Sequence, residues 1–359
     1  MLVDREYLES LTPVEVERIK AYIDQVYKTK VTDKTTNEEN LVTSVHCCPH
    51  CGSVHYVKNG FNPHHRQKYL CRDCHSVFLA TTGTIFSHSS VTYEQWITLI
   101  ACEINRNTLR EEEVAIGLTK TTCFHMRHKL YEAVSRIVDS QKLSGQIELD
   151  PTYTKINLKG RKPKDMPRFS KKRGKGIKLV DKHLRGISHH KVCLVTAIDE
   201  NDNMLFKIAG LGPEKREFLT PLGCYFTPGS TVICDEKRCL ETFVREQGMT
   251  PEVIRTHGFK SDKGNTLADV NQLHQELSDL ISRRHGVSSR HMQGYMDWLI
   301  YRKQLKYRVE GRRQKVESYV NVMTETVRLI TKELFRIPLP IDLYAAYGEY
   351  HFGIFANIN

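Results

Sequence analysis

The chain has no run of apolar residues approaching the ~18 that a membrane-spanning helix needs. Its longest candidate, WITLIACEI, is half that length and contains Glu103. The opening stretch MLVDREYLES is acidic and polar where a secretory signal is basic and then apolar. These two absences make a cytoplasmic protein with no membrane partner the expectation. No segment repeats, which excludes solenoid and propeller arrays. Acidic residues are in deficit, 42 against 53 Lys and Arg, for a net charge of +11. That imbalance favours a polyanionic partner, nucleic acid before anionic lipid. Apolar residues make up 40% of the chain, enough for packed cores, so wholesale disorder is excluded. A length of 359 residues suits two or three domains.

Eleven cysteines are present, an odd count. Four of them form two C-x₂-C pairs, CPHC and CRDC, so a metal site is favoured over disulfides. Thiolates two apart on a tight turn converge on one cation, and two such turns complete the tetrahedron that Zn²⁺ prefers. The expected ligands are Cys48, Cys51, Cys71 and Cys74. Four sulfurs leave no open coordination position, so this zinc is structural. His46 and Cys47 are additional donors beside the first pair. The remaining cysteines, such as Cys193 and Cys234, lie in apolar runs and read as small buried residues.

Along the chain, Thr12, Pro13 and Glu15 form an N-terminal helix signal, followed by Val16, Ile19, Ile23 and Val26 at helical spacing. Residues 31–45 are polar and read as a linker. Residues 46–82 hold the zinc ribbon and 83–145 a helical segment. There, Thr108 caps LREEEVAI, Gly117 turns the chain, and Thr119 caps a second helix, KTTCFHMRHKLYEAV. Two short helices around a glycine resemble a helix-turn-helix. Its second helix would present Lys120, Thr121, Thr122 and His125, then Arg127, His128 and Lys129, to DNA; an ordinary helical hairpin with a solvated basic face is the competing reading. Residues 159–186 carry twelve Lys or Arg and two Asp, nearly the whole net charge of the chain. Such a block neutralises phosphates; Lys159, Arg161, Lys162, Lys171, Lys172 and Arg173 are its candidate DNA contacts.

From residue 146 the pattern changes. IELDPTYTKI, KVCLVTAID, MLFKIAG and STVICD read as strands, while CLETFVREQG and ADVNQLHQELSDLISRRHG read as helices. Strands followed by helices make this an α/β domain. Asp150 ends the apolar run IELD and Asp235 ends STVICD. Two carboxylates at strand tips in one sheet can share divalent cations, and oxygen ligands of this kind suit Mg²⁺. A third ligand should come from the later helix, where Asn271, His274 and Ser278 share a face and Glu276 is the nearest carboxylate.

Taken together, CPHC, GTIFSHSSVTYEQW, TTCFHMRHKLYEA, LDPTYTKINLKGRKP, RGISHHKVCLVTAID, VICDEKRCLETF and VNQLHQELSDLISRRHGVSSRHMQGYMDWL resemble bacterial insertion-sequence transposases. The chain is most similar to the insertion-sequence fifteen-ninety-five family, over roughly residues 46–305. The resemblance implies a multidomain α/β protein: a zinc ribbon, a helix-turn-helix segment, and a ribonuclease H-like, DDE-type catalytic domain over 146–305. A tail, 306–359, follows. Asp150 and Asp235 would be the first two catalytic acids and Asn271 the third position, where members carry Asn, His or Glu. These three would hold Mg²⁺ or Mn²⁺, with His274 matching a family histidine one turn on. Thirty-five residues separate Asp235 from Asn271. Two positions depart from the family. Pro151 stands where an acidic residue is usual, and Ser278 where a basic one is.

The implied activity is cleavage at the element's terminal inverted repeats, then attack of the freed 3′-OH on target DNA. The lack of a nucleophilic Ser or Tyr signature is consistent with it. The implied partners are double-stranded DNA, both ends and target, and further copies of the chain in a synaptic complex within a bacterial nucleoid. The competing reading is an inactive or domesticated transposase that regulates by binding DNA. Asp150 and Asp235 discriminate between the two, because binding alone requires neither.

Overall fold

The computed structural model describes residues 45–63, 66–87, 89–157, 191–255, 258–308, 318–319 and 321–325. The predicted N-terminal helix, the basic insert 159–186 with its six candidate contacts, and most of the tail lie outside the described residues. The chain divides into two compact units, Met1–Ile97 and Thr98–Asn359. Both sheets and all helices together make a mixed α/β protein. No helix among the described residues is long and apolar enough to cross a membrane.

In the first unit, strands β1 (Tyr56–Phe61), β2 (Gln67–Cys71) and β3 (Val77–Leu79) form an antiparallel sheet in that order. The rings of Tyr56, Tyr69 and Phe78 pack on each other with centroids 5.6 to 5.9 Å apart. Beyond these, burial is slight: Cys48, Cys71 and Phe78 are the buried members of the cluster. Such a core does not offset the entropy of ordering its backbone, so a cross-link must supply the rest. Helix α1 (Tyr93–Ile104) follows, starting where Thr92 and Gln95 exchange hydrogen bonds at 3.0 and 3.3 Å, a reciprocal cap.

The second unit opens with α2 (Leu109–Ile116) and α3 (Lys120–Asp139). Both expected caps are present. The Thr108 hydroxyl accepts from Glu111 N–H while the Glu111 carboxylate accepts from Thr108 N–H, and Thr119 accepts from Thr122 N–H. Gly117 has φ of 74°, a left-handed conformation that a β-carbon would strain.

The sheet comprises β4 (Gln146–Lys155), β5 (Lys191–Asp199), β6 (Met204–Leu211), β7 (Thr231–Asp235) and β8 (Thr250–Ile254), ordered β6-β5-β4-β7-β8. β5 runs antiparallel to both β4 and β6; β7 is parallel to β4, and β8 to β7. The predicted strands all form. β8 was not among them, because Pro251 and Glu252 break its apolar pattern; as an edge strand it tolerates the missing N–H of proline.

Side chains on β4 alternate. Ile147 and Leu149 join Cys193, Val195, Val232 and Cys234 on one face, packed with Leu240, Phe243 and Val244 of α4 (Arg238–Glu246). Truncating a fully buried member such as Leu149 to alanine should cost about 2–5 kcal/mol. The opposite face carries Glu148 and Asp150 toward α5 (Ala268–Arg283). Helix α6 (Met292–Arg308) packs on α3 and β6. Its Gln293 amide donates to Phe206 C=O at 2.9 Å and accepts from Ile208 N–H at 3.2 Å, imitating a neighbouring strand along the β6 edge.

Candidate active site and metal centre

The parallel ladder between β4 and β7 ends at the pair Leu149↔Cys234. The next residue on each strand is Asp150 and Asp235, so strand register alone sets the two carboxylates side by side. Asp150 does not end its strand as expected, since β4 continues to Lys155 with β5 as its partner. From Asp150 onward β7 is no longer beside it, and this half-open edge admits Pro151.

The Asp150 side chain is only 16% exposed. Burial, then the charges of Asp235 and Glu214, push it up to about 7, against the partly compensating pull of Lys237. Lys237, at the start of α4, is itself held by Glu214 at 3.1 Å. His274 Nδ1 lies 3.9 Å from Asp150 Oδ2, and its Nε2 is 3.0 Å from Thr196 Oγ1. Burial drives His274 down to about 4, so the ring is neutral at physiological pH. Two half-buried acids side by side, the first only partly compensated by Lys237, form a place for a cation.

Helix α5 is aimed by a residue that the sequence reading passed over. Glu148 Oε2 accepts from the N–H groups of both Asp269 and Val270 at 3.0 Å, capping the helix from a neighbouring strand. The carboxylate also faces the positive end of the helix dipole. Glu148 and Asp150 sit two apart on one strand, so the same face that carries the acid fixes the helix bearing Asn271 and His274. That period-two relation was the available signal. Asn271 is exposed, one turn before His274. Glu276 is engaged elsewhere, by Lys303 at 3.1 Å, Arg302 at 3.6 Å and Arg106 at 3.7 Å. Of the two alternatives for the third position, Glu276 is therefore the one already occupied by cations. Ser278 and His274 line a cleft of about 490 Å³ bounded by Thr152 to Asn157.

In the first unit, Cys48, Cys51, Cys71 and Cys74 lie with all sulfurs within 4.8 Å of one another, the one such group of His, Cys, Asp or Glu among the described residues. Cys48 Sγ is 3.7 Å from Cys74 Sγ, and Cys51 Sγ is 3.6 Å from Cys71 Sγ. A tetrahedron with Zn–S of 2.3 Å has sulfur–sulfur edges of about 3.8 Å, so the cluster fits a metal of that size. Hydrogen bonds from Ser76 pull the Cys74 thiol down to about 6, while Cys51 in the same group is pushed up to about 12, so Cys74 is the first of the pair to become a thiolate. His46 and Cys47 stand outside the group.

Against known families, residues 142–304 match the model described as ISXO2-like transposase domain. This part of the chain is similar to that transposase domain. Over 139 residues the chain is also 32% identical to a protein of Halobacterium salinarum described as an uncharacterized protein in transposable element ISH50. The match covers 38% of this chain and spans about half, 46%, of that relative.

The matched region is entered through α3, and here several expectations need correction. Thr121 is exposed, and Thr122 and His125 are partly so. Arg127 is 2% exposed, His128 5% and Lys129 7%, so none of the three is open to DNA in this fold. Arg127 instead reaches Glu103 and Glu112 and donates to Tyr295 Oη at 3.3 Å. Arg284 joins Glu103 at 2.7 Å, and Tyr131 donates to it at 2.6 Å. Burial would raise Glu103, but Arg127 and Arg284 overcome it and hold the carboxyl at about 2. This network is the internal brace of the helical segment, not a contact surface.

Proposed function

We propose that the chain is a DNA transposase that cleaves and joins strands at Asp150, Asp235 and Asn271. The observation that carries the reading is the end of the β4–β7 ladder, which sets Asp150 beside Asp235 with His274 of α5 3.9 Å from Asp150. The sheet order, with a central strand flanked by one antiparallel and one parallel neighbour, supports a ribonuclease H-like assignment for residues 146–305. Divalent cations, Mg²⁺ or Mn²⁺, would clamp the attacking and leaving oxygens of an in-line phosphoryl displacement. The protein's own part is to hold two carboxylates ready, orient the helix through Glu148, and keep His274 neutral beside Asp150. An amide at Asn271 contributes an oxygen ligand without adding negative charge, which lowers metal affinity relative to a third acid.

The ribbon at 46–82, as a zinc site, and the helical segment 83–145 would bind the element's inverted repeats. Within α3 the supporting residues reduce to Lys120, Thr121, Thr122 and His125, in the first turns of a capped helix after a glycine turn. The insert 159–186 supplies phosphate contacts through its charge alone. Copies of the chain would pair the two ends in a synaptic complex. Strand transfer on end-containing DNA with Mg²⁺ tests the proposal. Wild type should cleave and join, and Asp150→Ala and Asp235→Ala should each abolish both steps. Retention of activity in these variants would show that the assignment of the acids is wrong, whereas tight end binding by wild type with no metal-dependent cleavage would support the DNA-binding regulator instead.

A further inference from the structure

Between β8 and α5 the chain presents Phe259, 91% exposed and the most exposed large apolar side chain among the described residues. Its setting is organised. Glu252 of β8, itself 8% exposed, accepts hydrogen bonds from the Ser261 hydroxyl and, at 2.8 Å, from the Asn265 amide. Ser261 N–H donates to Asn265 C=O at 2.9 Å, and Gly264 N–H to Ser261 C=O at 2.9 Å. The ring therefore stands on a braced turn. Arg255, Lys260 and Lys263 flank it; Arg255 lies 3.6 Å from Asp262 and Lys263 3.7 Å from Glu252, both pairs with an exposed lysine or arginine head. No other exposed large apolar side chain lies in this stretch, so it is not the contiguous apolar patch that a protein partner covers. A lone aromatic among cations is the composition of a nucleic-acid stacking platform.

Both ends of the stretch lead to the acid site. Ile254 pairs directly with Asp235 across β7 and β8, and Leu267 precedes the helix carrying Asn271. Phe259 stands five positions after Ile254, which places the ring within about 17 Å of that pair, a few base steps at most. We propose that Phe259 is a wedge that stacks on an unpaired or splayed base of the DNA held at Asp150 and Asp235, while Lys260 and Lys263 grip the adjoining phosphates. The inference rests on the transposase reading and adds a base contact to it.

The two tryptophans of the chain, Trp96 and Trp298, are 0% and 1% exposed. Phe259→Trp therefore installs one exposed indole as a reporter. The probes are a duplex with a single-stranded 3′ extension and a blunt duplex of equal length, added to the full chain without divalent metal. The indole should be quenched by the extended duplex and much less by the blunt one. Phe259→Ala should weaken binding of the extended duplex roughly tenfold, and Phe259→Tyr should retain it. Lys260→Ala with Lys263→Ala should flatten the salt dependence while the quench persists at saturation. An unresponsive indole, or wild-type affinity in Phe259→Ala, overturns the wedge. So does a fall in oligomer mass for Phe259→Ala with DNA affinity unchanged, which would assign the ring to a second copy. Mg²⁺-dependent nicking on the same DNA separates the two readings. Nicking with a silent indole sinks the wedge alone; quenching without nicking keeps the wedge and removes strand cleavage.

Discussion

Two acids of the second unit, Glu103 and Asp150, are treated oppositely by their surroundings. Around Glu103, two arginines and a tyrosine hydroxyl surround the carboxyl and hold it at about 2. Around Asp150 the nearest cation, Lys237, is shared with Glu214, and the carboxyl rises to about 7. Burial penalises charge in both settings, and more at Glu103 than at Asp150. What differs is how many countercharges the fold provides. A compensated acid braces the molecule, and an uncompensated one is kept for something the protein must bind.

The largest test of that contrast is functional. Asp150→Asn and Asp235→Asn should each lower Mg²⁺-dependent DNA cleavage by at least about 10³-fold, the scale of a lost transition-state contact, with an unchanged or higher melting temperature. A variant that kept cleavage would erase the distinction. Next in size, Arg127→Met leaves Glu103 and Glu112 short of a partner and should cost about 3–5 kcal/mol in a denaturant titration. A loss below about 1 kcal/mol would mean that the network is no brace.

The two acids should also respond oppositely to pH. Asp150 has a folded pKa raised above its unfolded 3.8, so its ionisation opposes folding. Its stability penalty is absent below 3.8 and grows as pH rises through about 7. Wild type should therefore lose stability relative to Asp150→Asn between pH 4 and 7, and Mg²⁺ should restore it near neutrality. Glu103 is depressed, so its contribution is full above 4.5 and vanishes as pH falls through about 2. Differential melting of wild type and variants across that range measures both slopes. The smallest effect is positional. Glu148→Gln removes a charged cap on α5, worth about 1 kcal/mol, and should lower the cleavage rate more than DNA affinity. Equal losses in rate and affinity would reduce Glu148 to a purely structural cap.

Local signals were legible where the physics is local. Thr108, Gly117 and Thr119 punctuate the helices as their residue types demand, and the four cysteines converge as their spacing requires. Strand alternation placed Asp150 and Asp235 near ladder ends. The cationic run Arg127, His128 and Lys129 misled because charge was read as exposure. The partner that decides Arg127 is Glu103, itself locked by Arg284 some 181 residues away. Glu148 was missed for the same reason, since its acceptors' donors lie 121 and 122 residues on. Phe259 carries no pattern at all in one dimension; only three-dimensional exposure distinguishes it from a core phenylalanine.

The amide of Gln293, seated against Phe206 and Ile208, has a bearing on assembly. It occupies the hydrogen-bonding positions in the middle of the β6 margin that a foreign strand would use, while Pro251 leaves the opposite margin at β8 short of a donor. If copies meet on DNA as proposed, they would have poor purchase for merging their sheets into one. Any union of copies would then have to run through side chains, helices or the DNA itself, and would stay separable.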